Sequence, residues 1–473
     1  MPGYSRRLQV AVTAVALAVG PGIASAHDVT GSRFEAPLPL DLLFAGAGAT
    51  VALTALWLAV TDDAPPSPTG HPLGTISSRS VRVLRAVAGG VFFAGVLAVL
   101  VVGFVGRQVA AENFATVFTW PVWFRGLALL AVLVGTLWPT LSPWRWLYRG
   151  LCWLEGDDPA LRPYPSWLGH WPALLGFVVL VGIVENLTVI PRSPTLTAAI
   201  VALYTLVMVG GGVLFGREWF ERADPLGVFY RLFGRVAPVA VDRTDDGGRR
   251  VLARPPWRGC RRPVAGLALV VFVVTSVYTV SFDGFANTRL YQRLLFDVRD
   301  LLGTGPQTSL LLYFVGLTLF VAVFAVVSRL GERLGGAPTV TDSVVADGGS
   351  ARRRVTTVFA PAVLPIAAAY DVAHNAPYVI RLTVAVLDIS LSPVGVGLGG
   401  VDPLAWLSVP LFWGFQVVLI VVGHVVAVVA AHRIAVDRYD SASAARRAHL
   451  PMVVLMVGYT VLSLWIVSRP VVA

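Results

Sequence analysis

Charge is scarce in this chain. Charged residues make up 14% of its 473 positions against 56% hydrophobic ones, where a soluble domain ordinarily carries roughly 25% charged residues. That deficit excludes a single soluble globular domain. Lysine is missing altogether: all 37 basic residues are arginine, set against 27 acids for a formal net charge of +10. Cysteine is limited to Cys152 and Cys260, too few for a disulfide framework. Neither has a Cys or His neighbour at zinc-ligand spacing, which removes a zinc-finger type of site. The sequence also lacks a G-x-S-x-G elbow, an H-E-x-x-H helix, an H-x-H pair and a Walker A loop. Familiar hydrolase and nucleotide-binding machinery is therefore not written in it.

What the chain has in abundance is long apolar runs, each able to cross about 30 Å of hydrocarbon as a helix. The expected fold class is all-α, a polytopic transmembrane helical bundle. At the N-terminus Arg6 and Arg7 precede a short apolar stretch at 10–19, then Pro21-Gly22 and the small residues Ala24, Ser25 and Ala26. This is the pattern of a secretory signal peptide over 1–26, with a mature single domain over 27–473; an uncleaved signal anchor is the alternative. A freed His27 would offer an amine and an imidazole to copper(II), or it simply follows the cleavage site.

Ten spans are predicted near 40–60, 86–106, 122–141, 168–187, 196–216, 264–282, 309–328, 356–380, 409–432 and 450–468. With the mature N-terminus outside, the connections 61–85, 142–167, 217–263, 329–355 and 433–449 face the cytoplasm and carry 26 arginines, against 9 in all other mature segments. The positive-inside rule and the signal peptide thus call for the same orientation in the cell membrane, with both ends of the mature chain outside. The basic excess belongs to that rule and to anionic headgroups, and the lipid bilayer rather than nucleic acid is the expected partner. Both cysteines fall in predicted cytoplasmic connections, where thiols stay reduced.

Two connections have local pattern. Trp144, Trp146, Tyr148 and Trp153 interleave with Arg145 and Arg149, as suits an interfacial helix. In the long loop 217–263, Phe229, Leu232, Phe233 and Val236 recur at helical spacing, which predicts a helix lying on the inner leaflet. The stretches 242–263 and 334–354 read as solvated linkers. Small residues four apart, Gly212 with Gly216 and the ladder Gly423, Ala427, Ala431, would let helices approach closely.

Ionisable groups inside spans cost roughly 2.5–3.5 kcal/mol each on insertion scales, so each is a functional candidate. The eighth span carries the most polar turn, with Tyr370, Asp371, His374 and Asn375; helical spacing puts the first three on one face. At ~1.5 Å of rise per residue, Glu185, His374 and Gln416 all lie ~25 Å above the cytoplasmic ends of their spans. If the three helices converge, Glu185, Tyr370, Asp371, His374 and Gln416 form one polar cluster in the outer half of the bundle. An imidazole flanked by carboxylates can relay protons, and the same donors suit a divalent metal ion held by Asp371 and His374. The alternative is structural: Asp371 bonding His374 one turn on, Gln416 bridging helices, Glu185 reaching the interface. His424 is either a packing group or a lower station of a relay. Haem is disfavoured, because neither His424 nor His432 shares a level with His374.

At the level of stretches the chain resembles a known family. The residues that carry this are His27 with Pro37-Leu38-Pro39, Leu141-Ser142-Pro143-Trp144-Arg145, Trp167-Leu168-Gly169-His170-Trp171-Pro172-Ala173 and Leu214-Phe215-Gly216-Arg217-Glu218. Pro365-Ile366-Ala367, Ala369-Tyr370, Ala373-His374, Gly423-His424-Val425 and Pro451-Met452-Val453 complete the set. Together they resemble a prokaryotic multi-pass membrane family labelled fenitrothion hydrolase, over most of the mature chain. The resemblance implies the multi-pass fold and points to Tyr370, His374 and His424. Its label implies hydrolysis of an organophosphate triester, a reaction that usually uses a metal-activated water.

Three functions follow as expectations. The first is movement or sensing of a small solute, proton or metal ion through the intramembrane polar site. The second is a membrane-embedded phosphotriester hydrolase in which Asp371 and His374 orient a water. The third is a structural or assembly subunit whose polar residues fix helix packing.

Overall fold

Among the described residues, ten helices are long and apolar enough to cross a membrane: Leu40–Thr61, Ser78–Val105, Phe114–Val134, Ser166–Leu187, Pro194–Phe215, Gly266–Ala286, Thr308–Gly335, Ala360–Val394, Val409–Arg438 and Ala442–Val467. They are the first to tenth spans of a multi-pass, all-α bundle. The computed structural model describes residues 39–61, 70–157, 159–245, 247–336 and 358–469. The expected signal peptide, His27 and most of the linker 334–354 lie outside the described residues.

The span boundaries follow local chemistry. The third span begins at Phe114 rather than near 122, because Asn113 caps it: its Oδ1 accepts from the Ala115 amide at 2.9 Å while its Nδ2 donates to the carbonyls of Val102 and Arg107. Capping satisfies an N–H that the first helical turn leaves without a partner. The same span stops at Val134, where Gly135 takes φ 85°, a conformation glycine adopts without penalty. This shift moves Arg125 from a span end to mid-span.

Two widened turns interrupt the α-geometry. Residues Phe118–Gly126 of the third span and Val178–Val184 of the fourth are π-helical. Pro121 lies inside the first and lacks the N–H that an α-turn requires. Side chains satisfy some of the loosened carbonyls, one from another element and one from the next turn of the same span. Tyr230 Oη donates to Trp123 O and Phe124 O at 3.0 and 3.1 Å, and Asn186 Nδ2 donates to Val181 O at 2.6 Å.

The long connection between the fifth and sixth spans departs from expectation twice. The helix Pro225–Phe233 forms, but it does not lie on a leaflet surface: Phe229, Leu232 and Phe233 are buried, and Phe229 packs on Phe177 with ring centroids 4.9 Å apart. Asp224 anchors it. Fully buried, Asp224 accepts from the indole N–H groups of Trp138 and Trp144 at 2.7 and 2.9 Å, from Tyr204 Oη at 2.5 Å and from the Gly227 amide at 3.1 Å. The stretch 242–263 is also not a solvated linker. It contributes to a three-stranded antiparallel sheet of β1 (His71–Ile76), β2 (Val239–Arg243) and β3 (Arg249–Ala253), in the order β1-β3-β2. β2 and β3 pair as a hairpin with Val239 opposite Ala253 and Arg243 opposite Arg249. β1 comes from the connection between the first and second spans, so pairing decides a structure that hydropathy does not encode.

Small residues act at crossings as expected in one case and differently in another. A Cβ at Gly423 would overlap Ala369 and the Pro365 carbonyl, so glycine sets the approach of the eighth and ninth spans. Gly216, at φ 69°, ends the fifth span. Trp144 is buried in the helix Pro143–Glu155 while Trp153 is 82% exposed, which fits an element at the bundle margin.

Both cysteines are free thiols. Burial pushes the Cys260 thiol up to about 12, against the opposing pull of Arg235 and Arg254. Its thiolate, the form that alkylates, is therefore scarce below that pH. Maleimide labelling of folded protein at pH 8 is expected to modify Cys152 and spare Cys260, with both reacting after denaturation. Equal rates in the folded protein would contradict the burial of Cys260.

Candidate functional site

The third, fourth, sixth and eighth spans meet at one buried arginine. Arg125 lies in the last turn of the π-helical segment of the third span, and its guanidinium serves three carboxylates through three different nitrogens. Nε donates to Glu185 Oε1 at 2.6 Å, Nη1 to Asp371 Oδ1 at 3.1 Å, and Nη2 lies 3.6 Å from Asp283 Oδ2. The side chains are 3% exposed for Arg125, 11% for Glu185, 9% for Asp283 and 0% for Asp371. These ions are sealed inside the protein, where an unpaired charge is costly.

Local sequence explains how each carboxylate reaches the site. Glu185 immediately follows the π-helical segment Val178–Val184, near the end of the fourth span. Asp283 lies near the end of the sixth span, in a helix whose inward face is Val, Phe, Thr and Tyr. There a Cβ on Gly284 would overlap Tyr370 Oη, so glycine permits the sixth and eighth spans to touch. Asp371 projects from the eighth span and also accepts from Asn375 Nδ2, one turn on, at 2.9 Å. His374 turns toward the sixth span, with Nε2 3.6 Å from Asp283 Oδ2, and its ring faces Tyr370 at 6.0 Å between centroids.

Of the residues expected to converge, Glu185, Tyr370, Asp371 and His374 do so. Gln416 comes close but serves the backbone: its Nε2 donates to Ala373 O at 3.1 Å, tying the ninth span to the eighth. The expected bond between Asp371 and His374 is replaced by Asp371 with Arg125 and Asn375, and His374 with Asp283. His424 is buried on the ninth span away from the cluster, its Nδ1 2.7 Å from the Ile420 carbonyl of its own helix. His432 likewise lies elsewhere, with its ring 5.1 Å from that of His449.

Two principal members escaped sequence reasoning. Arg125 sat at a supposed span end among Trp120, Trp123 and Phe124, which resemble an interfacial belt. Asp283 fell one residue beyond the sixth predicted span. Asn113, a strong helix-capping residue just before an apolar run, was the available signal for the earlier start of the third span.

Three carboxylates share one guanidinium, with one imidazole beside them, so the cluster holds more acidic groups than its one arginine matches. The hydrogen bonding is incomplete in the same sense. Glu185 Oε2, Asp371 Oδ2, Asn375 Oδ1 and Tyr370 Oη are buried without a hydrogen-bond partner among the described residues. Asp224 is the contrast: it carries one charge and four donors surround it. The Arg125 site instead has acceptor capacity for protons or for a small cation. Among the described residues, no group of three or more His, Cys, Asp or Glu side chains is arranged to hold a metal ion; Arg125 occupies the space between the carboxylates.

No protein-family model, no curated protein and no solved structure matches this chain.

Proposed function

We propose that this protein moves or senses a proton or another small cation through the Arg125 cluster. The observation that carries the reading is charge balance: one guanidinium and three carboxylates, all nearly or fully buried, with one imidazole beside them. Burial of more charged carboxylates than one arginine matches is unfavourable by several kcal/mol per ion. The cluster is therefore stable only with protons or a cation added, and its occupancy must respond to their concentration. His374, next to Asp283 and slightly exposed, is the group best placed to exchange a proton with the exterior of the cluster. The two π-helical segments, one containing Arg125 and the other leading to Glu185, supply backbone able to shift without breaking a span.

The orientation proposed with this function keeps the sheet and the long connection in the cytoplasm, both ends of the mature chain outside, and the cluster in the outer half of the cell membrane. The arginine asymmetry supports it. A reporter fused after Gly247 is expected to read as cytoplasmic; activity outside would reverse the arrangement.

The functional test is flux in liposomes loaded with a pH-sensitive dye. Wild-type protein is expected to dissipate an imposed pH gradient, and Asp371→Asn to slow this by ~10-fold or more while remaining folded, since it removes one of the three buried carboxylates that share a single guanidinium. A sensor would give no flux but a pH-dependent tryptophan fluorescence that Asp371→Asn abolishes. If neither signal depends on Asp371, the reading fails and a packing role in an assembly subunit stands. The same preparation assayed with an aryl phosphotriester and added divalent metal tests the hydrolase reading, which turnover lost in His374→Ala would support.

A further inference from the structure

A second polar feature lies at the opposite end of the bundle, where the sheet meets the turn Pro256–Arg261. A groove there is lined by Arg254, Arg258, Arg261 and Arg262, with Asp242 and Leu252 from β2 and β3. Its frame is rigid. Arg254, just after β3, donates through Nε to Ala237 O at 2.9 Å and through Nη2 to Gly234 O and Arg235 O at 2.9 and 3.2 Å. These bonds fix the plane of the guanidinium and leave Nη1 for another acceptor. Arg235 in turn donates to Arg262 O at 2.6 Å, and a Cβ at Gly259 would overlap the Arg235 carbonyl, so the turn is pressed against that strand of chain. Arg261 is held from the far side by Asp437 at the end of the ninth span, at 2.6 Å.

The groove therefore gathers four guanidinium groups against Asp242 and the already engaged Asp437. Burial, and after it the neighbouring Arg262 and Arg258, lower the pKa of Arg254 against the opposing pull of Cys260 and Asp242. Positive-inside insertion accounts for arginine in this connection. It does not account for convergence on one concave site from β3 and an adjacent turn, with backbone carbonyls holding one guanidinium in place. Several guanidinium groups gathered on one concave site, one of them held in place by backbone carbonyls, are the arrangement that recognises a phosphate.

We propose that this groove is a binding site for a phosphate group, carried either by an anionic lipid headgroup or by a soluble phosphate ligand. The inference is independent of the Arg125 cluster. The probes are dioctanoyl-phosphatidylglycerol, dioctanoyl-phosphatidylcholine and inorganic phosphate, each titrated into the purified full chain in detergent and read by native mass spectrometry. One bound phosphatidylglycerol, with phosphatidylcholine much weaker, identifies a lipid site. Binding of inorganic phosphate without phosphatidylglycerol identifies a soluble ligand. In either case Arg258→Ala with Arg262→Ala should weaken binding by ~10-fold or more, because charge-assisted contacts are lost, and Asp242→Asn should tighten it. Arg243, next to Asp242 on β2, points to the other face of the sheet, so Arg243→Gln should leave binding unchanged. Absence of binding by every probe would overturn the proposal. So would equal binding of the two lipids, or equal weakening by Arg243→Gln and by the groove variant.

Discussion

Replacing Arg125 by alanine is expected to cost the folded protein roughly 3–5 kcal/mol, the range found when one partner of a buried ion pair is removed. Three carboxylates would then face one another without a cation, in a site where Asp371 has no exposure at all. The protein can escape only by binding protons or by opening the bundle. Thermal unfolding in detergent should show the loss, and Arg125→Ala with Asp371→Asn should recover part of it, because the most deeply buried charge has gone. The two sites touch, so the effects should not add. Arg125→Lys should lie between, since a single ammonium cannot reach three carboxylates through three separately directed nitrogens. An Arg125→Ala protein as stable as the parent would show that the cluster does not carry the charges assigned to it.

The second large effect is expected at Asp224, where burial is complete but the chemistry is reversed. Every donor around it is neutral, and all of them point at its two oxygens. Asp224→Asn keeps the shape but turns an NH2 group toward donors, so at least one indole or hydroxyl loses its acceptor. A loss of about 3 kcal/mol is expected, from the charged hydrogen bonds removed and the buried donors left unsatisfied. Trp138 and Trp144 report on it directly, and their fluorescence should change before global unfolding begins. In Trp144→Phe the same Asp224→Asn change should cost less, because one of the competing donors is already absent. Full additivity of the two substitutions would show that Asp224 does not organise these indoles.

The Arg125 cluster also shows why part of the site was legible beforehand and part was not. Glu185 and Asp371 announced themselves as acids inside long apolar runs, and counting helical rise brought Glu185 to the level of His374, one turn from Asp371. Their meeting in space agrees with that count. Gln416 was at the same level but serves a backbone carbonyl, because depth along a helix says nothing about azimuth. Arg125 was hidden by its neighbours: tryptophan, phenylalanine and arginine together look like the end of a span, and only an early start at the Asn113 cap puts them in the middle. Asp283 was lost to a boundary one residue short.

Hydropathy by itself determined the ten spans and the all-α class, since the thickness of a bilayer imposes a helix length that any long apolar run must meet. It also determined that few polar groups would be buried, and therefore which ones to watch. Only the tertiary structure decided what those groups do. The cap and the glycine stop set where the third span lies, while pairing between distant connections turned a supposed linker into a sheet. Burial took the helix Pro225–Phe233 from the surface into the core. Four spans with no common sequence signal place three carboxylates around one guanidinium. A charge is tolerated in such a place because of the partners that other helices bring to it, and those partners are a property of the packed bundle rather than of any one segment.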